Sequence, residues 1–116
     1  MAKYTTHFQG NFKEVIECLK QEIMAGSFTA SLEEESYINL NGVDCAVLVF
    51  ERYSYTGSNR VSLNITILAD QKEVYIIGIS AGGSQGMIFK FNTFGEEAFL
   101  EKLQEAIEKY INKTSY

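Results

Sequence analysis

Arg60-Val61-Ser62-Leu63-Asn64-Ile65-Thr66-Ile67-Leu68-Ala69 decides the fold. Val61, Leu63, Ile65, Ile67 and Ala69 alternate with Arg60, Ser62, Asn64 and Thr66. A period of two is that of a β-strand with one face buried. On its N-terminal side, Val43–Tyr55 is rich in β-branched and aromatic residues and predicts another long strand. Gly57-Ser58-Asn59 predicts the turn between them. On its C-terminal side, Asp70-Gln71-Lys72 predicts a second turn. Glu73–Ala81 predicts a strand that is apolar on both parities.

Further out, Asn41-Gly42 is a hairpin signal, because both central positions of a type I′ turn need positive φ. Tyr37–Leu40 leads into it. Phe28, Ala30 and Leu32 alternate as a strand does, and Glu33-Glu34-Glu35 interrupts the pattern. Tyr4–Gln9 predicts a short first strand. Asn11 with Glu14 forms a helix N-terminal capping signal. Phe12, Val15, Ile16, Leu19 and Ile23 then fall on one helical stripe, predicting a helix over Phe12–Ala25 closed by Gly26 in a left-handed conformation. At the C-terminal end, Gly82-Gly83-Ser84-Gln85-Gly86 predicts a loop, and Met87–Phe91 has room for a last short strand. Thr93 with Glu96 forms a second capping box, opening a helix over Phe94–Asn112 with Phe99, Leu103, Ala106, Ile107 and Tyr110 inward.

Strands joined by short turns are antiparallel. The expectation is therefore one α+β domain over residues 1–116, a two-layer sandwich. Its antiparallel sheet has five or six strands, two helices cover one face, and the order is β-α-β(4–5)-α. That order resembles the TATA-binding-protein-like and helix-grip topologies, which carries no function by itself.

Turn lengths assign the faces. A two-residue loop at Gly57-Ser58 pairs Phe50 with Ile65 and Leu48 with Ile67, so Ala46, Leu48 and Phe50 join the core. A two-residue turn then brings Val74 and Ile76 beside Ile67 and Ile65. Val47, Val49, Tyr53, Tyr55, Tyr75, Ile77 and Ile79 are thereby pushed onto the face away from the helices. A three-residue turn would swap the two lists. A solvated antiparallel face is mostly polar, and an apolar one marks an interface or a ligand surface. The same arithmetic through Asn41-Gly42 places Glu33 and Glu35 on the core face, where burial is costly. A β-bulge near Glu34–Ser36, or a strand end at Leu32, resolves the conflict.

With 116 residues, 46% hydrophobic and 22% charged, the chain can bury a core without disulfides or metal. A formal net charge of −5 and only two arginines, Arg52 and Arg60, argue against nucleic-acid binding. Apolar runs such as Ala46–Phe50 are far too short to span a bilayer, and the N-terminus has no apolar signal region. Cys18 and Cys45 fit no metal or redox spacing and read as free thiols in a reducing, cytoplasmic compartment. His7, the single histidine, has no partner legible for catalysis. Glu33-Glu34-Glu35, with Asp44 or Glu51, lacks the defined geometry of a metal site and reads as a solvated edge. No cofactor is expected. Gly82, Gly83, Ser84, Gln85 and Gly86 form a candidate ligand loop, since glycine-rich backbone can turn amides toward an anion. The loop lacks the spacing and the immediate helix of a nucleotide-binding motif, which makes a connector needing positive φ the better reading.

Phe50-Glu51-Arg52-Tyr53 running into Asn59-Arg60-Val61-Ser62-Leu63-Asn64 forms one familiar unit. Gly82-Gly83-Ser84-Gln85 running into Phe89-Lys90 and Asn92-Thr93-Phe94-Gly95-Glu96-Glu97-Ala98-Phe99-Leu100 forms another. Together they resemble a family of small bacterial proteins classed as a domain of unknown function. The resemblance implies a bacterial, cytoplasmic, single-domain protein and carries over no site residue.

The leading expectation is a non-catalytic module that forms a homo-oligomer through Val49, Tyr53, Tyr55, Tyr75 and Ile77. The alternative is a helix-grip binder of a small apolar molecule held between sheet and helix. An enzyme is least supported, because no nucleophile–base pair is legible.

Overall fold

A computed structural model describes residues 1–53, 60–82 and 90–114. The elements follow in the order β1 (Ala2–Gln9), α1 (Phe12–Ala25), β2 (Ser31–Leu40), β3 (Val43–Tyr53), β4 (Arg60–Asp70), β5 (Glu73–Gly82) and α2 (Lys90–Thr114). The five strands form one antiparallel sheet in the order β1-β5-β4-β3-β2. The alternating strand that decides the fold is thus its centre. Both helices pack on one face, against each other and against the strands.

α1 occupies the predicted range, and Val15, Ile16, Leu19 and Ile23 are its buried stripe. The Asn11 side chain caps it by accepting from the Glu14 amide at 3.0 Å. Gly26 closes it in the right-handed rather than the left-handed region, with its amide donating to the Glu22 carbonyl at 3.0 Å. β2 begins at Ser31, later than the alternation of Phe28 and Ala30 suggests, because the Ala30 amide turns back to the Ser27 carbonyl. Asn41 and Gly42 have φ of 53° and 83°, the backbone that the hairpin needs, and Leu40 pairs with Val43 across them.

Two registers differ from the expected ones. Phe50 pairs with Leu63 and Leu48 with Ile65, because the ladder closes at Tyr53–Arg60. Val74 pairs with Ala69 and Ile76 with Ile67, as a true two-residue turn requires, since Asp70 pairs with Glu73. Each is a slip of two residues, so every side chain keeps its face. Ala46, Leu48, Phe50, Val61, Leu63, Ile65, Ile67, Ala69, Val74 and Ile76 are buried under the helices.

The acidic conflict is resolved by a bulge. Leu32 pairs with Phe50 and Glu34 with Val49, leaving Glu33 as the extra residue. Glu35 stays on the helix side but exposed, where the Lys20 ammonium and the Tyr37 hydroxyl each donate to it at 2.7 Å. Lys20 foremost, then Tyr37, holds the Glu35 carboxyl below its ordinary range.

α2 starts at Lys90, earlier than Phe94, so a strand running through Phe91 is excluded; residues 87–89 lie outside the described ones. Glu96 does not fold back as a cap. Its carboxylate is buried and accepts from the Gly82 amide at 2.7 Å, with the N-terminal ammonium at 2.6 Å from its other oxygen. Phe99, Leu100, Leu103, Ala106, Ile107 and Tyr110 complete the core.

Gly78 is where α2 comes closest to the sheet. A Cβ there would lie 2.3 Å from Leu103 Cδ2 and 3.3 Å from Leu100 Cδ1. Gly78→Ala should cost about 1–3 kcal/mol, read by thermal or denaturant unfolding. An unchanged stability would show that Leu103 rotates aside freely.

Candidate functional site

The sheet face away from the helices is built by the second parity of each strand. β5 supplies Tyr75, Ile77 and Ile79, β4 supplies Asn64, Thr66 and Leu68, and β3 supplies Cys45, Val47 and Val49. β1 and β2 flank them. Pairing carries four rows across all five strands: His7–Tyr75–Leu68–Cys45–Ile38, then Thr5–Ile77–Thr66–Val47–Ser36, then Lys3–Ile79–Asn64–Val49–Glu34, with Gln9–Glu73–Asp70–Val43–Leu40 closing the end beyond the first.

The first row is the most apolar, and much of it is open to solvent. Ile38 is 61% exposed, Tyr75 52% and Leu68 43%. Leu40, at the end of β2, extends the same corner. The Tyr75 ring stacks on His7 at 4.2 Å, nearly parallel. His7 Nε2 contacts Glu73 Oε1 at 2.5 Å, and Gln9 donates to the other Glu73 oxygen at 3.1 Å. The Tyr75 ring is thus stacked against His7, which Glu73 holds in place, and it remains about half exposed on the outer face.

Of the residues that the sequence points to, Val49, Tyr75 and Ile77 lie on this face with partial exposure. Tyr53 shares the face but not the patch. It pairs with Arg60 at the opposite end of β3, eight residues from Cys45, which at a strand rise of ~3.4 Å is roughly 27 Å away. There Arg60 stands over the Tyr53 ring at 5.7 Å and pairs with Glu51 at 2.5 Å and Glu33 at 3.6 Å. Tyr55 lies outside the described residues, as do Gly83, Ser84, Gln85 and Gly86. Gly82 is described, and its amide is engaged by the Glu96 carboxylate, an acceptor that competes with any anion at this point.

The sequence points to neither Ile38 nor Leu68, and it marks His7 only as a histidine without a legible catalytic partner. Leu68 follows from the alternation of β4 once the faces are known. His7 enters only through the β1–β5 pairing, which no local signal announces.

Elsewhere, a groove of about 580 Å³ runs between the helices on the side away from the sheet. Lys13, Glu17, Lys109 and Lys113 give it mixed charge, and Cys18 lines it. Burial, then Glu22, pushes the Cys18 thiol above its ordinary range, and its Sγ lies 3.8 Å from the Ala106 carbonyl. Such a thiol is a poor nucleophile. Among the described residues no group of three or more His, Cys, Asp or Glu is placed to hold a metal ion. No described helix is long and apolar enough to cross a membrane.

A comparison with curated proteins found no match. A family model does match, from residue 1 to residue 111, so that α1, the whole sheet with its outer face, and α2 as far as Ile111 fall within it. The chain belongs to this family, DUF6054, a family of unknown function.

Proposed function

We propose that the chain is a non-catalytic interaction module of the bacterial cytoplasm that self-associates through the outer face of its sheet. The row Ile38–Cys45–Leu68–Tyr75 carries this reading, because a solvated face would place polar side chains there. The size of the face supports a second copy as its occupant. Five strands of about ten residues, at ~4.8 Å spacing and ~3.4 Å rise, present about 800 Å². One partner of a standard stable interface buries about 800 Å².

The alternative, an apolar ligand held between helices and sheet, finds less support. Leu19, Ile23, Leu48, Leu63, Ile65, Ile76 and Leu103 are fully buried there, which packs the middle of the sandwich. Free thiols at Cys18 and Cys45 support the reducing compartment.

Sedimentation of the purified chain tests the proposal. A dimer is expected at tens of micromolar, in the range where an interface of ~1,600 Å² commonly holds. A monomer at that concentration rejects it.

A further inference from the structure

Resting on that reading, we infer that self-association is gated by pH through His7: the dimer holds His7 protonated against Glu73 and loosens as that proton leaves.

His7 stands on the most apolar row of the outer face, beside Tyr75. Their rings stack at 4.2 Å, so a partner that covers one covers the other. His7 Nε2 lies 2.5 Å from Glu73 Oε1, and the two side chains are 45% and 47% exposed, so both have hydration to lose. Gln9 donates to the other Glu73 oxygen. Asp70 pairs with Glu73 across β4 and β5, which puts a second carboxylate at the border of the cluster. Thr5 on β1 and Leu68 on β4 bring no charge. Lys72 in the β4–β5 turn and Lys3 further along β1 form no ion pair among the described residues. The cation that meets Glu73 is therefore His7. An interface of standard size needs about 800 Å² from each partner, which is the whole face, so it cannot leave this cluster outside.

Two charge states then differ in what association costs. With His7 protonated, His7 and Glu73 enter the interface as an ion pair without net charge. With His7 neutral, the Glu73 carboxylate enters uncompensated, beside Asp70. Desolvating an unpaired charge costs more than desolvating a paired one. The rest of the face acts in the same direction. Along its paired rows it carries Glu34, Glu51, Asp70 and Glu73 against Lys3 and Arg60, so two copies repel, and each protonated His7 lessens the repulsion. Histidine is the side chain whose charge changes between pH 5 and 8. The His7 proton is held more tightly in the dimer than in the free chain. The affinity that it contributes is thus complete at low pH and is lost as pH rises through the dimer's titration.

Sedimentation equilibrium at fixed salt, at about pH 6 and about pH 8, reads the effect. Wild-type self-association should weaken tenfold or more at the higher pH, since each unit by which the dimer raises a histidine is about tenfold and the dimer holds two. His7→Gln carries no charge at either pH. It should be folded by circular dichroism, lose the difference, and associate as wild type does at the higher pH. His7 is the single histidine, so its ring proton can be followed by NMR without assignment, and it should titrate at higher pH in concentrated than in dilute solution. Wild-type association that is equal at both pH values or tighter at the higher one overturns the gate. So does a pH dependence that persists in His7→Gln, which would trace to net charge instead. If Tyr75→Glu still dissociates the dimer in those cases, the outer face stands as the interface. A wild type monomeric at both pH values, or a Tyr75→Glu variant that stays dimeric, instead removes the face-to-face dimer on which the gate depends.

Discussion

Ile65→Ala should destabilise the fold by about 2–5 kcal/mol, against a total stability of about 5–15 kcal/mol for a domain of this kind. Ile65 is fully buried at the middle of the central strand, paired with Leu48 on one side and Gly78 on the other. Its loss leaves a cavity, and the cost depends on whether neighbours collapse into it. Leu48 is itself fully buried and held in register by β2 and β4. Gly78 has no side chain to lend, and Leu103 already lies close against its backbone. Little can move inward, which places the expected cost in the upper part of the range. Denaturant unfolding measures it. A loss below about 1 kcal/mol would mean that α2 settles onto the gap and that the core is far more plastic than its burial implies.

The faces of the sheet were legible because period-two alternation survives errors in register. Both hairpin registers at β4 were read two residues off, yet every core residue of β3, β4 and β5 kept its face. The Asn41-Gly42 turn was legible for a different reason, since its chemistry demands a backbone that few other residue pairs tolerate. Long-range pairing was not legible. Nothing local in Tyr4–Gln9 says that it lies against β5, and so His7 was read as an isolated residue rather than the ring stacked on Tyr75. The start of α2 was missed because Thr93 and Glu96 have the spacing of a cap, while tertiary structure gives the Glu96 carboxylate to Gly82. Local capping chemistry predicts where a helix can start, and a competing partner decides where it does. For the candidate site, the identity of the face was readable but the position of residues along it was not. Tyr53 and Tyr75 share a parity, which sequence reveals, but stand at opposite ends of the sheet, which only the register reveals.

That separation makes Tyr75 the anchor of the proposed interface, and Tyr75→Glu its sharpest test. Large rigid aromatic side chains near the middle of a contact dominate its energetics. Tyr75 lies one strand from the central strand, on the most apolar row, with its ring stacked on His7 and about half exposed. In the free chain a glutamate at this position remains in water. The monomer loses only the ring stack, about 0.5–1.5 kcal/mol, and should stay folded by circular dichroism. In the dimer the carboxylate would be desolvated against the partner's apolar row, a cost of several kcal/mol. Each 1.4 kcal/mol is tenfold in affinity, so self-association should weaken a hundredfold or more. Tyr75→Phe, which keeps the ring and adds no charge, should remain dimeric. An unfolded Tyr75→Glu would mean that the ring packs into the fold more deeply than its exposure indicates. A folded variant that still associates would move the contact elsewhere, and the long exposed edge of β2 would be the next surface to test, since its outer backbone groups have no strand beside them among the described residues.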